Sequence, residues 1–379
     1  MPNLATSKRT GRSPYFCSMK LFILRPGRTA PKVLLLMALL LLGHEIISAQ
    51  SLEKNAAAGA VFRVVPLGVK GGLDESNLSS YLVGPQGSPD LVCLDAGTLH
   101  YGIQKALDSG AFAGMGGSGK EGAGKMNAGA GQAEGEAGGL SVTDILKNNI
   151  KAYFISHAHL DHVAGLIINS PDDGPKPVYG LSSCLEILRD KYFTWESWAN
   201  FGDQGEKPLL NKYHYVPMSP GRETAIEHTA FAVTAFPLSH VAPYQSTAFL
   251  LRKGDAFLLY LGDTGADEVE HSDKLALLWQ AVAPLIKAGK LKAIFIEVSF
   301  PDEQPDKLLF GHLTPRLLMK EMKTLGGLTG EAALKGLPLV ITHIKPSGDQ
   351  ERIIKKQLVE NNHFQLQLVF PQQGSPLAF

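Results

Sequence analysis

The sequence predicts a mixed α/β (α+β) fold with mixed β-sheets at its centre and helices packed outside. Three observations carry that expectation. Short β-rich segments separated by Gly, Pro, Asn and Asp clusters come first. From about residue 150, apolar strand-like runs alternate with longer segments of helical periodicity. Histidines and aspartates then stand where several apolar runs end, the usual place for chemistry on a rigid scaffold.

Residues 62–65, 77–83 and 91–95 read as strands bounded by turn residues. Residues 109–140 hold 12 glycines and few large side chains, which predicts a flexible surface insertion. Gly119-Lys120 and Gly124-Lys125 within it make no phosphate loop, because neither lysine is followed by Ser or Thr. Beyond it, 152–155 reads as a buried strand and 160–169 as a helix. Strands follow at 231–236, 247–251 and 257–261, then a long helix over 272–287. Residues 293–296 and 337–341 are again strand-like, with helices over 314–325 and 349–360. No internal repeat is visible.

The chain has 379 residues, 44% hydrophobic and 19% charged, ample for a packed core and unlike a disordered chain. Its 36 basic and 36 acidic side chains argue against a dedicated nucleic-acid binder. That balance hides an asymmetry. Residues 1–49 carry seven basic groups and one acidic, Glu45, around an apolar run of ten, 33–42, too short to span a bilayer. With a small-residue exit at Ser48-Ala49, this reads as a signal peptide, for which Met19 is an alternative start. Its removal leaves residues 50–379, read as one domain with net charge near −6, periplasmic or secreted and without stable membrane insertion. Cys93 and Cys184 then remain, as two buried thiols or a pair.

The strongest chemical signal is Ser156-His157-Ala158-His159-Leu160-Asp161-His162. Three imidazoles and a carboxylate within six residues suit zinc-like cations. Alternation puts His157 and His159 on one side of an extended segment, with Asp161 and His162 directed elsewhere, which suits two neighbouring metals better than one. Further ligands must come from other strand ends, and His240, Asp263 and His343 stand in such places.

Together these residues resemble the metallo-β-lactamase superfamily, which implies an αββα sandwich of two mixed β-sheets. The run from His157 to Pro171 resembles more narrowly the class II cyclic-nucleotide phosphodiesterases. So do Glu297-Val298-Ser299-Phe300, Gly311-His312-Leu313-Thr314-Pro315, Thr342-His343-Ile344-Lys345-Pro346 and the early Asn77 to Val83. The resemblance spans about residues 60 to 370. It implies one metal on His157, His159 and His240, a second on Asp161, His162 and His343, and Asp263 bridging both beside a water or hydroxide. Two divalent ions, zinc foremost, are therefore expected; manganese or iron would suit the carboxylate share. The implied reaction is hydrolysis of cAMP or cGMP to a 5′-monophosphate, with Asp161, Asp263 and His312 catalytic.

His312 is a phosphate contact or proton donor to the leaving oxygen on this reading, or otherwise a cap of the following helix. Glu297, Ser299 and Asp95 are placed to orient ligands. Trp195, Trp198 and Phe201 either stack a base or simply pack. His100, His214, His228 and His271 lack any such context and read as surface or structural residues. Competing functions are a thioesterase, a nuclease of the transfer-RNA-processing type, and a catalytically idle metal-binding protein.

Overall fold

The computed structural model describes residues 59–113, 115 and 140–379. The segment read as a signal peptide, and the glycine-rich stretch apart from its edges, lie outside the described residues.

Two seven-stranded sheets dominate. The first is built from β1 (Phe62–Gly68), β2 (Ser80–Pro85), β3 (Leu91–Leu94), β4 (Ile150–Phe154), β5 (Lys176–Gly180), β6 (Tyr213–Pro217) and β14 (Leu377–Ala378). Its spatial order is β14-β1-β2-β3-β4-β5-β6. The second contains β7 (Glu223–Ala225), β8 (Ala232–Ser239), β9 (Gln245–Lys253), β10 (Ala256–Leu261), β11 (Leu291–Glu297), β12 (Pro338–Thr342) and β13 (Gln367–Val369), ordered β13-β12-β11-β10-β9-β8-β7. In the first sheet, pairing is antiparallel from β14 to β3 and parallel from β3 to β6. The second repeats the pattern, antiparallel from β7 to β10 and parallel from β10 to β13.

Alternation along the strands explains the layering. In β4, Ala152 and Phe154 point between the sheets and Tyr153 points to the opposite face. In β10, Leu258 and Tyr260 point inward and Leu259 and Leu261 outward. The inter-sheet layer also holds Tyr81, Phe249, Phe295 and Val340. Helices α1 (His100–Asp108), α2 (Val142–Asp144), α3 (Leu160–Asn169) and α4 (Ser182–Ile187) cover the outer face of the first sheet. The outer face of the second packs against α5 (Asp267–Glu270), α6 (Lys274–Lys287), α7 (Pro315–Thr329) and α8 (Gln350–Glu360). The result is the expected αββα sandwich.

Several boundaries differ from the sequence reading, each for a physical reason. The second strand begins at Ser80, because the Asn77 carbonyl and side chain are taken by the amides of Val69 and Lys70. β8 runs on through Pro237 to Ser239: β7 pairs only with Ala232 to Thr234, so the proline lies on an open edge where no donor is required. Thr314 caps α7 from outside, its side chain accepting from Leu317 N, and the helix continues past Gly326-Gly327 to Thr329. Cys93 and Cys184 are buried and unpaired.

A buried polar cluster ties β5 to the first sheet. Lys176 pairs with Asp173 at 2.6 Å with both side chains buried, and Asp173 accepts from Tyr153 at 2.7 Å and Tyr213 at 2.9 Å. The Lys176 ammonium also donates to the Leu146 carbonyl. Removing one partner strands a buried charge. Asp173→Ala is therefore expected to destabilise the fold by about 3–5 kcal/mol, read by chemical denaturation. A loss below about 1 kcal/mol would show the pair to be dispensable.

Candidate metal centre

All seven residues singled out as ligands converge on one end of the sandwich, where strands of both sheets run out. His157, His159, Asp161 and His162 occupy the turn from β4 into α3. His240 follows β8, Asp263 lies two residues beyond β10, and His343 follows β12. His343 has φ 58°, a left-handed conformation that turns the chain at the end of its strand. Two glycines permit the close approach. A Cβ on Gly71 would lie 2.3 Å from His343 Nδ1, and one on Gly311 would lie 2.6 Å from His240 Nδ1.

Two groups form. In the first, His159 Nδ1 lies 3.0 Å from His157 Nε2 and 3.2 Å from His240 Nε2. In the second, His343 Nε2 lies 3.1 Å from Asp161 Oδ2, and His162 Nε2 lies 3.9 Å from the same oxygen. Asp263 stands between them. Its Oδ2 is 3.7 Å from His157 Nε2, 3.9 Å from His240 Nε2 and 3.2 Å from His343 Nε2, while Oδ1 is 3.3 Å from His162 Nε2.

Supporting hydrogen bonds aim the rings. His157 Nδ1 meets Ser156 Oγ at 3.0 Å, and His240 Nδ1 donates to the Gly311 carbonyl at 2.8 Å. His162 Nδ1 donates to Asp95 at 2.8 Å. His343 Nδ1 donates to Ser299 Oγ at 2.9 Å, and Ser299 in turn donates to Glu297 at 2.7 Å. Each of these four rings turns Nε2 into the site. His159 differs: it presents Nδ1, and its exposed ring stacks on Tyr244 at 4.7 Å, with the planes 8° apart. The Tyr244 hydroxyl is fixed by the Ala158 amide at 3.1 Å.

The family described as cAMP phosphodiesterases class-II matches residues 60–374. The chain belongs to this family. A 3′,5′-cyclic-nucleotide phosphodiesterase of Aliivibrio fischeri is 44% identical over 330 residues, covering 86% of this chain and 94% of the relative. Among solved structures, unliganded yeast PDE1 superposes with a TM-score of 0.70 at 24% identity, over 84% of this chain and all of that one. The metallo-β-lactamase fold protein YhfI of Bacillus subtilis gives 0.52 at 15% identity, over 83% and 99%. The class-II chain thus has the metallo-β-lactamase fold.

The donor set of this class-II chain suits divalent cations. Donors about 2.0–2.1 Å from a tetrahedral zinc-like ion stand roughly 3.3 Å apart, close to the spacings within each group. His162 Nε2 is buried without a hydrogen-bond partner, an orphan that a cation would satisfy. Burial pushes His157 and His240 toward the neutral, ligating form, and partial desolvation by its neighbours lowers the exposed His159 in the same direction. Burial alone would keep Asp263 protonated, but His343 and His162 hold it well below the usual carboxylate range. His162 is the converse: burial disfavours its charge, yet Asp263, Asp95 and Asp161 pull its pKa up, so the pocket calls for positive charge there.

His312 Nδ1 lies 2.7 Å from Glu297 Oε1 and 3.8 Å from Asp263 Oδ2, and its ring stacks on His343. It therefore belongs to the site, and the cap of α7 is Thr314 instead. Asp95 and Ser299 contact ligand candidates directly, and Glu297 reaches His343 through Ser299 while holding His312. Tyr244, Tyr260, Ser156 and the Gly311 carbonyl join the site without a role that the sequence assigns to them. A tyrosine or serine beside a ligand motif has no distinguishing pattern until the chain is folded. The aromatic segment lies elsewhere: Trp198 donates to Ser170, at the far end of α3, and Phe201 packs near Phe193. His100, His214, His228 and His271 are exposed.

Asp95→Asn should weaken divalent-cation binding about 10–100-fold, measured by competition with a chromophoric chelator. Unchanged affinity would refute its role in orienting His162.

Proposed function

We propose that this chain hydrolyses 3′,5′-cyclic nucleotides, cAMP or cGMP, to nucleoside 5′-monophosphates. It would do so with two divalent cations, zinc the favoured identity. His157, His159 and His240 would hold one, Asp161, His162 and His343 the other, and Asp263 would serve both. The convergence of the complete donor set with the His312–Glu297 pair, in a chain of the class-II family, carries this reading. Bound cations of this kind supply Lewis acidity, making water nucleophilic at neutral pH and neutralising charge on the reacting oxygens.

The remaining chemistry belongs to the protein. Glu297 accepts from His312 Nδ1 and is itself fixed by the amides of Thr264 at 3.1 Å and Leu313 at 3.3 Å. That leaves His312 Nε2 without a hydrogen bond among the described residues, free to meet a phosphate or leaving oxygen. Burial opposes a charged His312, but Glu297 beside it raises the pKa, so the ring can carry the proton that the 3′-oxygen needs on departure. Asp161 and Asp263 keep their charge at neutral pH and fix the imidazoles that face them.

The family match favours this reading over a thioesterase or a nuclease of the transfer-RNA-processing type. Metal-loaded protein should convert cAMP or cGMP to the 5′-monophosphate and leave a thioester untouched. Absence of cyclic-nucleotide turnover by metal-loaded protein would overturn the reading. His159→Ala should abolish both metal binding and turnover, and His312→Asn should lower kcat by about 10²–10⁴ with metal content retained. The basic leader and its apolar run support a periplasmic or secreted site of action, and among the described residues no helix is long and apolar enough to cross a membrane. Amino-terminal sequencing of protein recovered outside the cytoplasm should begin near Gln50; an intact leader there would contradict export by cleavage.

A further inference from the structure

Two exposed apolar pairs adjoin the ring of candidate ligands. On one side Val241 directly follows His240, and Phe310 precedes Gly311 and His312. These segments touch, since a Cβ on Gly311 would lie 2.6 Å from Val241 N. On the other side Leu160 stands between His159 and Asp161, and Leu73 follows Gly72, where a Cβ would lie 3.8 Å from Asp161 Oδ2. All four side chains face solvent: Leu73 is 74% exposed, Leu160 62%, Phe310 62% and Val241 49%.

Three of them also sit on strained backbone. Leu73 has φ 60°, Val241 φ 56° and Phe310 φ 51°, the left-handed region that bulky and β-branched residues avoid. Glycine or asparagine would occupy these positions at lower cost. Exposed as they are, the side chains return little packing energy to the fold. Strain held without a structural return, beside a reactive centre, points to a function for the side chains.

Resting on the cyclic-nucleotide reading above, we infer that Val241 and Phe310 on one lip, and Leu73 and Leu160 on the other, form the subsite for the nucleobase. The phosphate of a cyclic nucleotide must enter the ring of ligands. Its ribose then carries a flat, largely apolar heterocycle back out through the mouth, between these lips. Hydrocarbon and an aromatic face are what such a ring stacks against. The Trp195–Phe201 segment does not compete for this place, because Trp198 is tied to the opposite end of α3.

The test compares the full-length, metal-loaded protein with Phe310→Asn, Leu73→Asn and the double variant. Two substrates are used: cAMP, and the 3′,5′-cyclic phosphate of ribose lacking the base. Loss of apolar contact should lower the ratio of kcat/KM on cAMP to that on the base-free diester about tenfold per site, mainly through KM for cAMP. Melting temperatures should stay level or rise, because asparagine tolerates left-handed backbone. An unchanged ratio, or equal losses on both substrates, would overturn the subsite while leaving wild-type cAMP hydrolysis intact. Wild-type protein that hydrolyses no cyclic nucleotide would instead overturn the functional reading itself.

Discussion

The buried carboxylate of Asp95 is the constraint on which the site depends. It follows β3 in a left-handed conformation, φ 52°, and is wholly enclosed. A carboxyl group can stay in such a place only if its oxygens are saturated with hydrogen-bond partners. Four donors supply this: the Ser156 amide at 2.7 Å, Ser156 Oγ at 2.8 Å, His162 Nδ1 at 2.8 Å and the Tyr260 hydroxyl at 2.6 Å. Those groups come from the turn after β4, the first turn of α3 and a strand of the opposite sheet. One side chain therefore sets how the ligand turn leaves β4, how α3 begins and how the two sheets meet at this edge.

Glu297 plays the matching part on the other side of the ring. It ends β11, and its two oxygens accept from His312, Thr264, Leu313 and, through Ser299, reach His343. His157, His162, His312 and His343 thus inherit their orientation from the two buried carboxylates, directly or through a serine, and His240 from the Gly311 carbonyl, rather than from the cations they would hold. Such preorganisation matters because a donor must sit within a few tenths of an ångström to ligate well. The exception is His159, exposed and steered by a stacked tyrosine, which makes it the member of the ring with the weakest purely polar restraint.

Much of this was legible in the sequence, for identifiable reasons. The H-x-H-x-D-H run is local, so its chemistry survives without a fold. His240, Asp263 and His343 follow apolar runs whose strand character is plain. Asp95, Glu297 and Ser299 were open to suspicion because they too end strands. What stayed hidden depends on distant partners: Gly311 meets His240 across 71 positions and Tyr244 meets Ala158 across 86. β5 and β6 carry no plain strand pattern in the sequence, because Lys176 and Pro177 interrupt one and exposed His214 the other. Only burial reveals that Lys176 belongs inside, paired with Asp173. The sequence shows no repeat, yet the two sheets share one pairing scheme, since pairing direction is a property of backbone rather than of side-chain identity.

That shared scheme bears on the order in which the protein can be completed during synthesis. Strand by strand, β14 stands to the first sheet as β7 stands to the second: each is the outermost member of the antiparallel half. β7 is made just before the strands it joins, whereas β14 arrives more than 300 positions after β1, with Ala378 opposite Arg63. The half of the molecule that emerges first from the ribosome therefore waits longest for its final strand. Until then, β1 presents an unpaired edge to whatever surrounds the nascent chain.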